Sequence, residues 1–263
     1  MAGRFPRPAR MGRVFGSPPR TAPSPLRGGQ VGRAVFSALP AWAAEVVSSN
    51  IVGYTKVSVT AGLSIVGQQF VAVGGGDQNI QSITASGLED GGVDFIRIWN
   101  GTGYNSYSYF SADDDIAGTG SAAWGNDDWE VVDVDFAPGT GMWLSAQNDA
   151  TITFSGEVGN GNTVSFSAGL NLITPPQPTI VNIQDIQAVG LSDGGIDFIR
   201  VWNGSGYVSY SYFSADDDIA GTGKAAWGND DWEPVDVSFD PGLGMWLSAQ
   251  NSGTLTFPNA LAE

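Results

Sequence analysis

Residues 88–154 read LEDGGVDFIRIWNGTGYNSYSYFSADDDIAGTGSAAWGNDDWEVVDVDFAPGTGMWLSAQNDATITF, and residues 191–257 spell the same text again. The offset is a constant 103 with no gap, and about four-fifths of the positions are identical. Self-similarity at this level governs the architecture, because each copy must fold by the same rules. Working outward, Glu45-Val46 opens EVVSSNIVGYTKVSVTAGL, and Glu157-Val158 opens the shorter EVGNGNTVSFSAGL. Residues 80–88 (IQSITASGL) answer residues 183–191 (IQDIQAVGL). The modules therefore span 45–156 and 157–263, each the size of a small β-sandwich that can close its own core.

Short alternating runs of Val, Ile, Thr, Ser and Tyr make each module all-β. Tyr54–Thr60 and Leu63–Val73 read as strands joined by Ala61-Gly62 as a hairpin. Segment 80–88 is the one place for a helical turn. Between 93 and 99, Val93, Phe95, Arg97 and Trp99 alternate with Asp94, Ile96 and Ile98, which predicts a strand covered on both faces. Asn100-Gly101-Thr102-Gly103 tolerates the positive φ of a tight turn, so Tyr104–Phe110 returns antiparallel to it. Val132, Val134 and Phe136 share one face, Met142–Ala146 follows a Pro-Gly turn, and Thr151–Phe154 closes the module. About seven short strands at 8–12 residue spacing give a sandwich-like module. Thr174-Pro175-Pro176-Gln177-Pro178 resembles a linker, yet the repeat places it opposite Gly67-Gln68-Gln69-Phe70, inside module two. Proline cannot donate to a ladder, so this segment is an edge or a loop.

Charge is divided unevenly. Seven arginines lie before residue 44 with no acid among them; beyond it Lys56, Arg97, Arg200 and Lys224 face all 27 carboxylates. Such a surface repels phosphate, which excludes nucleic acid as a partner. The chain has no cysteine and no histidine, which removes disulfides, thiolate metal sites and the Ser-His and Cys-His nucleophile pairs. Residues 1–44 divide into an Arg/Pro/Gly-rich part without apolar periodicity, expected to be disordered, and an apolar stretch ending in Ala41-Trp42-Ala43. The small-x-small ending reads as a signal-peptidase site and predicts secretion; an unstructured basic tail or an organelle transit peptide is the alternative. No run reaches the 18 apolar residues of a membrane-spanning helix.

Three features could carry chemistry. Asp113, Asp114 and Asp115 with Asp127 and Asp128, and their copies Asp216, Asp217, Asp218, Asp230 and Asp231, are candidate Ca2+ ligands, since calcium takes six to eight oxygens. Their spacing fits neither an EF-hand nor a Gly-rich nonapeptide, and solvated acidic turns are the plain alternative. Tyr107 and Tyr109 with Trp124 and Trp129, echoed by Tyr210, Tyr212, Trp227 and Trp232, are candidate ligand-binding aromatics: rings stack on sugar C–H faces while Asp and Asn take hydroxyls. Core filling competes with that role, above all for Trp99 and Trp143 on strands. Arg97 and Arg200 lie between Phe and Trp, where a guanidinium can stack on a ring and pair with Asp, and are expected to brace the acidic loops. Paired carboxylates could run a glycosidase without histidine. No motif marks such a pair, and duplication suits bivalent binding or a repeating structural part better than catalysis.

The EV…GY…AGL framing, the G-x-G-x-W-L segment and the junction Thr151-Ile152-Thr153-Phe154-Ser155-Gly156-Glu157-Val158 resemble secreted bacterial proteins built of tandem Gly/Trp-rich β-modules. The likeness covers nearly all of residues 45–263; the long Arg-rich start departs from it. The class carries no assigned activity, so the resemblance implies export and modular β-structure only. The expectation is a secreted acidic protein of two tandem β-sandwich-like modules, not an enzyme, acting as a cell-surface, matrix or adhesive component and stabilised by calcium. Its partners would be an extracellular glycan or other copies of itself. A carbohydrate-binding protein using the Trp/Asp loops is the alternative.

Overall fold

The computed structural model describes residues 51–261, so the expected basic segment and signal peptide lie outside the described residues. The strands of the first copy are β1 (Val52–Val59), β2 (Gly62–Gly67), β3 (Gln78–Asn79), β4 (Thr84–Ser86), β5 (Phe95–Trp99), β6 (Tyr104–Phe110), β7 (Ala123–Gly125), β8 (Asp135–Phe136), β9 (Gly141–Ala146) and β10 (Ala150–Glu157). The second copy repeats them as β11 (Thr163–Phe166), β12 (Gly169–Ile173), β13 (Val181–Asn182), β14 (Gln187–Val189), β15 (Phe198–Trp202), β16 (Tyr207–Phe213), β17 (Ala226–Gly228), β18 (Ser238–Phe239), β19 (Met245–Ala249) and β20 (Gly253–Thr256). One 3-10 turn per copy, at Ile80–Ser82 and Ile183–Asp185, occupies the place where a helical turn was expected. The fold is all-β.

Every pairing between strands is antiparallel. A five-stranded sheet, β2-β9-β5-β6-β7, and a three-stranded sheet, β1-β10-β4, contribute to one core in the first copy. The second copy matches with β12-β19-β15-β16-β17 and β11-β20-β14. The Asn-Gly hairpin forms as the sequence predicts, pairing Phe95 with Ser108 and Trp99 with Tyr104, and the amide of Asn100 bonds the Gly103 carbonyl at 2.9 Å. The Ala61-Gly62 hairpin does not form. Instead β1 pairs with β10 and β2 with β9, so this bend carries the chain from one sheet to the other. Both flanking strands find their partners elsewhere, and an alternating pattern fixes a face without naming a neighbour.

Alternation along β9 explains how the copies join. Met142 and Leu144 enter the core of their own copy, while Trp143 points the other way into a separate cluster with Ile65, Leu172 and Trp246. A strand buried on both faces reads as a continuous apolar run, as Met142-Trp143-Leu144 does. That second cluster is an isologous interface inside one chain. The Trp99 indole donates to the Leu170 carbonyl at 2.8 Å, and the equivalent Trp202 donates to the Leu63 carbonyl at 2.7 Å. Trp99 meets Trp246 edge to face at 5.6 Å, and Trp202 meets Trp143 at 5.6 Å. The backbone repeats the reciprocity. Gly67 N–H bonds the Gly242 carbonyl at 3.0 Å, and Thr174 N–H bonds the Gly139 carbonyl at 2.9 Å. Reciprocal contacts of this kind define a local twofold axis.

The proline-rich segment is a loop, buried against the first copy. Thr174 Oγ1 donates to the Leu243 carbonyl, and Gln177, 1% exposed, accepts a bond from Gln69 Nε2 at its carbonyl. Gln68 and Gln69 are fully buried beside it, with Gln68 Nε2 and Gln69 Oε1 unpartnered.

Candidate functional site

Residues 111–130 and 214–233 form an acidic tip on each copy, held by backbone bonds to side chains. Asp114 Oδ2 accepts from the amides of Gly91 and Ser111, both at 3.1 Å, and Asp217 Oδ2 accepts from Gly194 and Ser214. Asp115 Oδ1 accepts from Gly120 N–H at 2.6 Å, and Asp218 from Gly223 N–H at 2.7 Å. Asn126 Oδ1 takes the amides of Asp128 and Glu130, as Asn229 Oδ1 takes those of Asp231 and Glu233. Asp113, Asp127, Asp128, Asp216, Asp230 and Asp231 face solvent. Among the described residues no three acidic side chains gather into a group that could hold a metal ion. Asp114 and Asp217 each spend one carboxylate oxygen on two backbone amides, and Asp115 and Asp218 one oxygen on a single amide of their own loop.

The aromatic candidates separate into two sets. Trp124 and Trp227 are each 1% exposed, and their indoles donate to the carbonyls of Ile83 and Ile186. They are core residues, closed to a ligand, because a buried indole with a satisfied N–H is cheap to keep inside. Tyr109 and Tyr212 pack edge to face on them at 5.5 Å, and Tyr107 and Tyr210 lie partly buried against the same cores. Trp129 and Trp232 behave differently. Each is 54% exposed, tilted over Phe110 or Phe213 at the rim of the tip. Their φ angles are 63° and 64°, in the left-handed region that a bulky residue rarely enters. Asn126 and Asn229 hold that conformation by accepting the Trp129 and Trp232 amides at their carbonyls, both at 3.1 Å.

Arg97 and Arg200 stack on Phe95 and Phe198 at 4.4 Å, and their Nε atoms bond Ser106 and Ser209. The ring contact is the expected one, but the polar partner is a serine across the hairpin. These arginines brace the sheet face and not the acidic loops, which lie beyond the far ends of β6 and β16.

Burial raises the pKa of Tyr109 and Tyr212 above the ordinary 10.0, with Asp90 and Asp193 adding to it; burial alone raises Tyr210. A phenol with a raised folded-state pKa gives stability that is whole below the unfolded value and is lost as pH rises through the folded one. The unfolding midpoint should therefore hold steady up to about pH 10 and fall above it. In the Tyr109→Phe/Tyr212→Phe variant that alkaline fall should shrink, as read by denaturant titrations between pH 8 and 11.

Two elements went unseen in the sequence. Asp94 and Asp197 are completely buried, each joining two loops through backbone amides; an Asp inside an otherwise apolar strand run, repeated, was the signal available. The second is a pair of grooves where the copies meet, one beneath Trp99 and one beneath Trp202, of about 710 and 300 Å³. Among the described residues no helix is long and apolar enough to cross a membrane. Comparison of the chain with models of known families, with curated proteins and with solved structures found no match, so its function rests on its own geometry.

Proposed function

We propose that the protein is a secreted attachment component of the cell surface or matrix, built of two sandwich-like β-modules that present the same contact twice. The observation that carries this is the exposed indole at left-handed φ in both copies, Trp129 and Trp232. Holding a large side chain there costs about 1–3 kcal/mol of backbone strain, which glycine would avoid. Retention of that strain twice, to leave a ring half in water, is what a contact residue requires. Two copies on one chain raise avidity when a partner surface repeats. The indole is flanked by Asn126, Asp127 and Asp128, and this polar rim favours carbohydrate as the matter held, the ring taking a sugar face and the rim its hydroxyls.

Retention on a glycan array tests the reading. Trp129→Ala or Trp232→Ala alone should weaken retention about tenfold, and the double variant should weaken it further than either. Full retention by the double variant would remove the tips from the mechanism. Concentration-dependent light scattering without any glycan retention would point to other copies of the chain as the partner.

A further inference from the structure

We infer that the two grooves between the copies are binding sites for a neutral oligosaccharide, the one beneath Trp99 being the stronger. This deepens the carbohydrate reading and rests on it, but it places the ligand away from the tips. The first groove is lined by Trp99, Asn100 and Thr102 of the first copy and by Ser165, Ser167 and Asn171 of the second. The other groove repeats the theme with Ser58, Thr60, Ser64, Trp202 and Asn203. Neither lining contains a charged side chain, on a chain with 27 carboxylates. Hydroxyls and amides around a half-buried indole suit a ligand that both donates and accepts hydrogen bonds and offers C–H faces. A phosphorylated ligand would find no cation there, and an acidic polysaccharide would meet the negative field of the whole surface.

The groove beneath Trp99 is also rigid before any ligand arrives. The Asn100 side chain accepts from the amides of Thr102 and Gly103 at 3.1 and 2.8 Å, which fixes the turn. Asn171 bonds both the amide and the carbonyl of Ser167, which fixes the opposite wall. The Trp99 N–H is committed to Leu170, so the ring cannot swing away. Preorganisation lowers the ordering cost of binding. The difference in volume comes with changes in the lining: Thr140 faces the larger groove where the smaller has Leu243, and Asn171 stands where the smaller has Ser64.

The test is calorimetric titration of the full chain with neutral hexasaccharides (cello-, chito- and malto-series) and with oligogalacturonate as the acidic comparison. Ser165→Glu/Ala168→Glu puts bulk and charge at two exposed lining positions, and Thr102→Glu does so from the other wall, so either carries the test if one fails to fold. Neutral hexasaccharide affinity should fall at least tenfold in both variants, and Trp129→Ala/Trp232→Ala should keep this site. Unchanged affinity in the folded groove variants overturns the inference. If binding is instead lost in the tip variant alone, the grooves are wrong and the carbohydrate reading stands. Binding of the acidic oligomer alone also removes the grooves. Failure of every oligosaccharide to bind removes both.

Discussion

Alanine at Gly141 and Gly244 together should wedge the two copies apart. A Cβ on Gly141 would lie 2.8 Å from both the N and O atoms of Ile173 and 2.9 Å from the Leu172 carbonyl carbon. On Gly244 it would lie 2.8 Å from the Val66 carbonyl oxygen and 2.5 Å from the Ile65 Cγ2. Several of these atoms are backbone, so no rotamer change relieves the overlap. Overpacking costs about 1–3 kcal/mol per site, which puts the double variant about 2–6 kcal/mol below the parent. Trp143 and Trp246 are 9% and 7% exposed. Separation would wet them, so a red-shifted tryptophan emission should accompany the lowered urea midpoint. An unchanged midpoint and spectrum would mean that the contact between copies is not close at these positions.

Removing the buried carboxylate should cost a similar amount by a different route. Asp94 accepts from the amides of Glu89 and Gln147 at 2.8 and 2.9 Å, and Asp197 accepts from Ser192 and Gln250 at 2.6 and 2.9 Å. Each thereby ties the loop before its central strand to the loop after β9 or β19. Asp94→Ala removes two hydrogen bonds that loop amides make to a charged acceptor, at about 1.5–3 kcal/mol apiece. Asp94→Asn keeps one oxygen acceptor and should lose roughly half as much. Urea titrations of both variants at neutral pH check the order. Equal losses would show that charge, and not the number of acceptors, is what the loops require.

What the sequence disclosed follows from which physics is local. The repeat and the Asn100-Gly101 hairpin are each set by local sequence, and both are found in the structure. Pairing of β1 with β10 spans about a hundred positions, and no periodicity within β1 encodes its neighbour. Tryptophan was the hardest residue to place. Trp124 and Trp129 lie five positions apart beside the same acidic run, yet one fills the core and the other stands in solvent. What separates them is a φ angle and an indole hydrogen bond, neither of which is written in residue type. Trp143 was legible as buried, but the sequence could not say that it is buried against the other copy.

The local axis passes between Gly67 and Thr174, which occupy the same place in the two copies. A Cβ on Gly67 would lie 2.4 Å from the Thr174 Cβ. Two threonines could not meet there, and two glycines would leave a gap. Each copy has thus become shaped for its counterpart and no longer for itself. In effect the chain carries an obligate heterodimer on one polypeptide, and the module with Thr174 could not rebuild this interface with its own twin.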